Sequence, residues 1–150
     1  MTVTSNFGVD TNIRIYSLDR SEPVKQLVAD KLMRAVLSKR ATLPLQCLNE
    51  FYRATTRKHL LTPAEAKAFV NDVLTFIVPI SSVAEDLVYA MQLHETNHIQ
   101  FFDALIIATA TRAGCAILFS EDLQSGRNFG SLTIQNPFLM NAEELDTILA

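Results

Sequence analysis

Asp10, Glu50, Asp103 and Asp122 stand where strands are expected to end or helices to begin. Brought together, such carboxylates repel one another and shift their own pKa values unless divalent cations neutralise them. Oxygen-only donors suit Mg2+ or Mn2+, which tolerate partial hydration. A hydrated ion held this way activates water and stabilises the charge that builds on a phosphodiester. The chemistry open to these residues as a set is metal-dependent phosphoryl transfer.

Taken singly, each acid also has a purely structural explanation. Asp10 follows Phe7-Gly8-Val9 directly and suits an Asx turn after a strand. Asp103 shares a helix face with Ile107, Ala110 and Gly114, which aims a carboxylate at a buried surface. Burying it unpaired costs several kcal/mol or forces protonation, although a place in the first helical turn is also favourable for an anion. Asp122 lies just past the strand expected over Ala116–Ser120, where a polar loop is the alternative. Its neighbour Glu121 is either solvated or an additional ligand. Glu50 is the least obvious, because its helix is expected to bury Leu48, Phe51, Tyr52 and Thr55. That places Glu50 on the opposite side with Arg53 and Arg57, where an exposed ion pair explains it.

The elements that must position these acids alternate between short strands and helices. A strand is expected over Phe7–Asp10, a helix over Glu22–Lys39 with Val24, Leu27, Val28, Leu32, Val36 and Leu37 at helical period, and an extended stretch over Thr42–Leu45. A helix follows over Gln46–Arg57. Thr62-Pro63-Ala64-Glu65 has the form of a capping box with proline at the first helical position, opening a helix to about Leu74. Phe76–Ile80 reads as a β-branched strand, and Ser82 to Glu85 as a second capping box that starts a helix to about His94. Phe101–Ala113 is helical and stopped by Gly114, Ala116–Ser120 and Leu132–Gln135 are strands, and Asn141 caps a last helix through Leu149. Strands joined through helices require crossover connections, hence an α/β fold with a mainly parallel sheet covered on both faces. In open sheets of this kind the chemistry collects at the carboxyl ends of the strands. Asp10, Asp122 and Asp103 fall at points that such a topology brings to one edge, and Glu50 follows a strand at the start of a helix.

Composition narrows the function classes. At 150 residues, 49% hydrophobic and 19% charged, the chain suits one well-buried domain spanning residues 1–150. No apolar run approaches the roughly 18 residues that cross a bilayer, and the start MTVTSNFGVD lacks the pattern of a signal peptide. The expected compartment is the cytoplasm, with no membrane partner. Cys47 and Cys115 lack the spacing of a redox or zinc motif and are expected to be core residues. The net charge of −3, from 16 acidic and 13 basic residues, argues against a module that simply coats nucleic acid. It is compatible with an enzyme whose acids are neutralised by metal.

Four ordered motifs carry a family resemblance: Val9-Asp10-Thr11-Asn12, Leu48-Asn49-Glu50-Phe51, Phe102-Asp103-Ala104-Leu105-Ile106 and Ser120-Glu121-Asp122-Leu123. They resemble the acidic motifs of PIN-domain nucleases, and most of all the VapC-type toxins of type II toxin–antitoxin pairs. The tail, with Gly126-Arg127-Asn128-Phe129-Gly130 and Asn136-Pro137-Phe138, is also similar. The resemblance covers nearly the whole chain. It implies a three-layer α/β/α sandwich and an Mg2+- or Mn2+-dependent endoribonuclease hydrolysing RNA phosphodiesters. Asp10, Glu50, Asp103 and Asp122 would form the acidic site, with Asp10 and Asp122 as the direct metal ligands. Thr11 and Ser120 match supporting hydroxyl positions. The likeness further implies a cognate antitoxin partner and a homodimer. One departure is Phe102, where many relatives carry Trp; this alters packing rather than chemistry.

Two rival readings come from other classes. His94-Glu95-Thr96-Asn97-His98 fits the HExxH pattern of zinc hydrolases, in which two histidines share a helix face and the glutamate acts as base. Against it, Thr96-Asn97 favour a helix end, and no downstream histidine supplies a third ligand. The other rival is a non-catalytic PIN-like module whose acids receive a partner's basic segment. Among basic residues, Arg53, Arg57 and Lys58 are placed to steer phosphates toward Glu50, and Arg14 and Arg127 lie near Asp10 and Asp122 in sequence. A solvated charged surface is the plainer account of all five.

Overall fold

A computed structural model describes residues 6–18, 21–39 and 41–150; within these, the side chains of Thr11 and Asn12 lie outside what it describes. The core of the sheet is three parallel strands, β1 (Phe7–Val9), β2 (Ile117–Phe119) and β4 (Leu132–Gln135), in the order β1-β2-β4. The short β3 (Asn128–Phe129) adds to the β4 edge antiparallel. On the other edge the chain is extended but barely laddered. Gly8 bridges Thr42, and Pro44 bridges Ile80, both in parallel sense. Pro44 and Pro79 have no amide hydrogen, which keeps this flank to single bridges.

Seven α-helices, with a 3-10 turn over Pro137–Leu139, complete the described part: α1 (Thr11–Tyr16), α2 (Pro23–Lys39), α3 (Leu45–Arg57), α4 (Pro63–Phe76), α5 (Ala84–Asn97), α6 (Phe101–Arg112) and α7 (Ala142–Leu149). α2 packs on β1 and α6 on β4, while α3 joins α1, α4 and α6. The result is the mainly parallel α/β/α architecture expected from the alternating pattern. Both faces of the sheet are covered, so its strands are buried almost throughout: Phe7, Val9, Leu118, Phe119, Leu132 and Ile134 all lie in one apolar cluster. Cys47 and Cys115 are free thiols in that cluster, and burial pushes Cys115 up to about 11. Among the described residues no helix is long and apolar enough to cross a membrane.

Most boundaries follow from local chemistry. Thr62 and Glu65 form the expected reciprocal cap, with Thr62 Oγ1 accepting from the Glu65 amide at 3.2 Å and Glu65 Oε1 from the Thr62 amide at 3.1 Å. Asn141 caps α7 by accepting from the Glu144 amide at 2.8 Å. Other expectations need correction. The turn expected after the first strand, at Asp10, instead leads straight into the helix α1 over Thr11–Tyr16. Phe76–Ile80 is not a strand, since α4 runs to Phe76 and only Ile80 bridges. α5 starts one residue later than a Ser82 cap would place it. Its Asp86 accepts from the Val83 amide at 3.0 Å and is held by Arg112 Nε at 3.0 Å, while Ser82 Oγ turns to Thr109 Oγ1. The periodic stripe on α2 is narrower than expected: Ala29, Leu32 and Val36 are buried, whereas Val24 and Leu27 remain 75% and 72% exposed.

Candidate metal and nucleic-acid cleft

The parallel register sets the first part of the site. Val9 is opposite Phe119, so Asp10 and Ser120 leave their strands side by side. The Asp10 amide donates to the Phe119 carbonyl at 2.9 Å, and Ser120 Oγ donates to Asp10 Oδ2 at 2.9 Å. Both residues are buried. This bond satisfies one carboxylate oxygen and fixes its rotamer. Asp122, two residues beyond Ser120, is exposed in the loop that follows β2.

α3 supplies the wall. Cys47, Leu48, Phe51 and Thr55 face the core. Tyr52, expected among them, is 43% exposed instead. Glu50, Arg53, Ala54 and Arg57 occur at i, i+3, i+4 and i+7 and so share one face of the helix. This is the face that periodicity assigns to solvent. It is polar because it borders a cleft.

α6 supplies the floor. Ala104, Ile106, Ile107, Ala108, Thr109 and Ala110 are buried along it, and Asp103 stands half-buried in its first turn. The N-cap position is Gln100, whose side chain makes no capping hydrogen bond. No described residue hydrogen-bonds or ion-pairs with the Asp103 carboxylate. Burial, then the nearby charges of Glu50 and Asp122, push it up to about 6.

These elements enclose an open cleft of about 640 Å³, lined by Asp10, Glu50, Asp103 and Asp122 together with Arg53, Arg57 and Lys58. Four acids from four parts of the chain therefore meet at one place. They do so loosely: among the described residues, no three His, Cys, Asp or Glu side chains form a ready-made ion cage. The donor set is still all oxygen, and burial together with its acidic neighbours already raises Asp103. Both features fit a hard, partly hydrated divalent ion rather than a dehydrated one. The Thr11 hydroxyl lies outside the described residues.

Other candidates are placed differently. Glu121 does not join the cleft lining, because Lys25 Nζ donates to its Oε1 at 2.7 Å beside the rings of Tyr16 and Phe138. Arg14, offered as a surface cation, lies 4.0 Å over the Phe69 ring, and burial lowers its pKa. Arg127 stacks on Phe129 and donates to the Asn97 carbonyl at 3.3 Å, tying its loop to α5. In the HExxH segment, α5 ends at Asn97 and His98 adopts φ +56°, outside the helix. The two histidines therefore do not share a helical face, and His94 Nδ1 is engaged with the Ile99 carbonyl at 2.8 Å. Gln100, which no motif singles out, lines the cleft.

Comparison with known proteins bears on the fold. No curated protein matches the chain significantly. Among solved structures, VapC20 of Mycobacterium tuberculosis, a Sarcin-Ricin loop cleaving toxin, superposes with TM-score 0.61 at 14% identity, covering 78% of this chain and 90% of that one. VapBC2 from Rickettsia felis, bound to a DNA fragment from its promoter, superposes with TM-score 0.57 at 17% identity, covering 87% of this chain and 97% of that one. At such identities the likeness speaks for shared architecture. The PIN domain family model matches residues 8–127, a span that contains all four acids and most of the chain. The chain belongs to the PIN-domain family.

Proposed function

We propose that this chain is a metal-dependent endoribonuclease that hydrolyses RNA phosphodiesters at the Asp10, Glu50, Asp103 and Asp122 cleft, and that it is a VapC-type toxin. The observation that carries the reading is the meeting of these four carboxylates in one cleft, with Asp103 raised by burial and by its acidic neighbours. A cluster of that kind is electrostatically unfavourable by itself and becomes favourable around a cation. PIN-family membership and a fold shared with a Sarcin-Ricin loop cleaving toxin support the substrate class.

The residues divide the work. When bound, Mg2+ or Mn2+ supplies an acidic water and stabilises charge on the phosphate. Asp10 and Asp122 would hold the ion, Asp10 from a buried position and Asp122 from the open loop. Ser120 fixes Asp10 in one orientation. Glu50 and Asp103 would complete the acidic set around the ion and orient the attacking water, with Asp103 placed to take up a proton. Hydrolysis then leaves the phosphate on one RNA fragment and a hydroxyl on the other.

A cognate antitoxin and a homodimeric state belong to the same proposal, supported by the family resemblance and by the VapBC2 neighbour. So do a single domain over residues 1–150 and a cytoplasmic location. The test is cleavage of a panel of structured RNAs by partner-free protein with Mg2+, Mn2+ or Zn2+, using wild type and Asp10→Asn side by side. Cleavage with Mg2+ or Mn2+, lost with EDTA and in the variant, is expected. Cleavage that survives Asp10→Asn, or none with any ion, overturns the reading.

A further inference from the structure

The wall that α3 gives the cleft is positively charged beyond Glu50. Arg53, Arg57 and Lys58 all line it, and all are exposed. Arg53 and Arg57 are separated by about one helical turn, roughly 6 Å of rise, comparable to the separation of neighbouring phosphates along a nucleic-acid strand. Among the described residues, none of the three side chains forms an ion pair or a hydrogen bond. This is unexpected for a merely solvated face, because Glu50 lies three residues before Arg53 on the same face, a spacing at which opposite charges readily pair. Glu50 instead accepts from Gln46 at 3.5 Å. The cations are left available beside the carboxylates.

The remaining lining decides what they would grip. Apart from the charged groups it consists of Ile15, Ala54 and Gln100. It contains no aromatic ring on which a base could stack, the usual means of holding unpaired bases. Arginine's planar fork matches phosphate oxygens in two-point contact. The cleft volume of about 640 Å³ is of the size that takes a drug-sized ligand, room for a short stretch of one backbone.

We propose that Arg53, Arg57 and Lys58 form a phosphate track along α3 that holds the sugar–phosphate backbone of a single RNA strand beside the scissile bond, without reading its bases. The track positions substrate and takes no part in bond breaking. It rests on the nuclease reading of the same cleft.

The experiment measures binding rather than cutting. In an Asp10→Asn background with Mg2+ present, fluorescence anisotropy gives the affinity for short uridine and adenosine RNA oligomers across a KCl series. Each phosphate contact on a single strand contributes about 0.7 to the slope of log K against log salt. Arg53→Ala and Arg57→Ala are each expected to flatten the slope by about that much, equally for both oligomers, while Arg57→Lys keeps it. An unchanged slope, weaker binding at constant slope, or an effect confined to one base overturns the track. If wild type fails to cut RNA while the slopes still flatten, the track stands and the nuclease reading falls. If wild type cuts RNA and the slopes do not move, the track alone is wrong.

Discussion

Ser120 Oγ donates a 2.9 Å hydrogen bond to Oδ2 of Asp10, joining residues 110 positions apart at the carboxyl ends of adjacent parallel strands. Because both are buried, the bond is made out of reach of competing water. Removing the hydroxyl leaves a buried carboxylate oxygen without this donor, at a cost of about 1–3 kcal/mol. Ser120→Ala is therefore expected to lower the melting temperature measurably and to weaken Mn2+ binding several-fold by titration calorimetry. Unaltered metal affinity in a correctly folded variant would show that Asp10 needs no help in holding its orientation.

Asp103 carries the site's pH dependence. Its carboxyl lies at about 6 in the folded chain, against 3.8 when free of the fold, chiefly through burial and then through Glu50 and Asp122. The folded state thus binds this proton more tightly than the unfolded state does. Without metal, the contribution of Asp103 to stability is greatest below about pH 4 and declines as pH rises to about 6. Above that it stays a constant penalty, on the order of 1–3 kcal/mol. Asp103→Asn removes the titration. In EDTA, urea denaturation is expected to show the variant gaining on wild type between pH 4 and pH 6.5, by about 1–2 kcal/mol. Added Mn2+ should reverse the order at pH 7, since only wild type gains a ligand. A stability difference that is flat across that window contradicts the account.

How far the site could be read from sequence depended on which physical signal each residue carries. Asp103 was legible because a charge heading an apolar helical stripe is locally anomalous; Ile107 and Ala110 of that stripe are indeed buried, while Gly114 is exposed past the helix end. Asp10 and Asp122 were legible only through strand ends, which the alternating pattern located to within a residue or two. Glu50 was hidden: the rule that polar faces meet solvent is satisfied by a cleft as well as by open surface, so periodicity cannot separate the two. Its placement came from motif likeness. Arg14 and Arg127 misled for the complementary reason. Nearness in sequence to Asp10 and Asp122 says nothing about direction, and both guanidiniums instead lie over aromatic rings. The false strand at Phe76–Ile80 arose from β-branched composition overruled by tertiary context, where a proline-interrupted edge allows one bridge.

The HExxH segment makes a separate prediction. With His98 at φ +56° beyond the end of α5, the helical i, i+4 relation by which an HExxH motif presents two imidazoles to one zinc is absent. The bond from His94 Nδ1 to the Ile99 carbonyl requires the hydrogen on Nδ1, because a carbonyl only accepts. Its job is to close the helix end. His94→Ala is expected to leave Mg2+- or Mn2+-dependent cleavage within about twofold, a difference below ~0.5 kcal/mol in barrier. Zn2+ should not restore activity to Asp10→Asn. Loss of hydrolysis in His94→Ala with normal folding would return the zinc hydrolase to contention.

Gly8 tests whether the sheet edge sets the geometry of the cleft. It lies between β2, through Leu118, and the extended segment at Thr42. A Cβ there would sit 2.9 Å from the Thr42 carbonyl oxygen, a backbone atom that cannot swing aside. The Thr42 amide is meanwhile tied to the Phe7 carbonyl at 2.9 Å, and its hydroxyl to Asn6 at 2.7 Å, so relief requires parting the two segments. Such overpacking typically costs about 1–3 kcal/mol. Asp10 is only two residues further along the same strand, and α3 with Glu50 begins just past the displaced segment. Gly8→Ala is thus expected to lower stability and also to weaken Mn2+ affinity in molecules that remain folded. Gly8→Ala with lower stability but wild-type metal affinity would mean that the two acids are positioned independently of this contact.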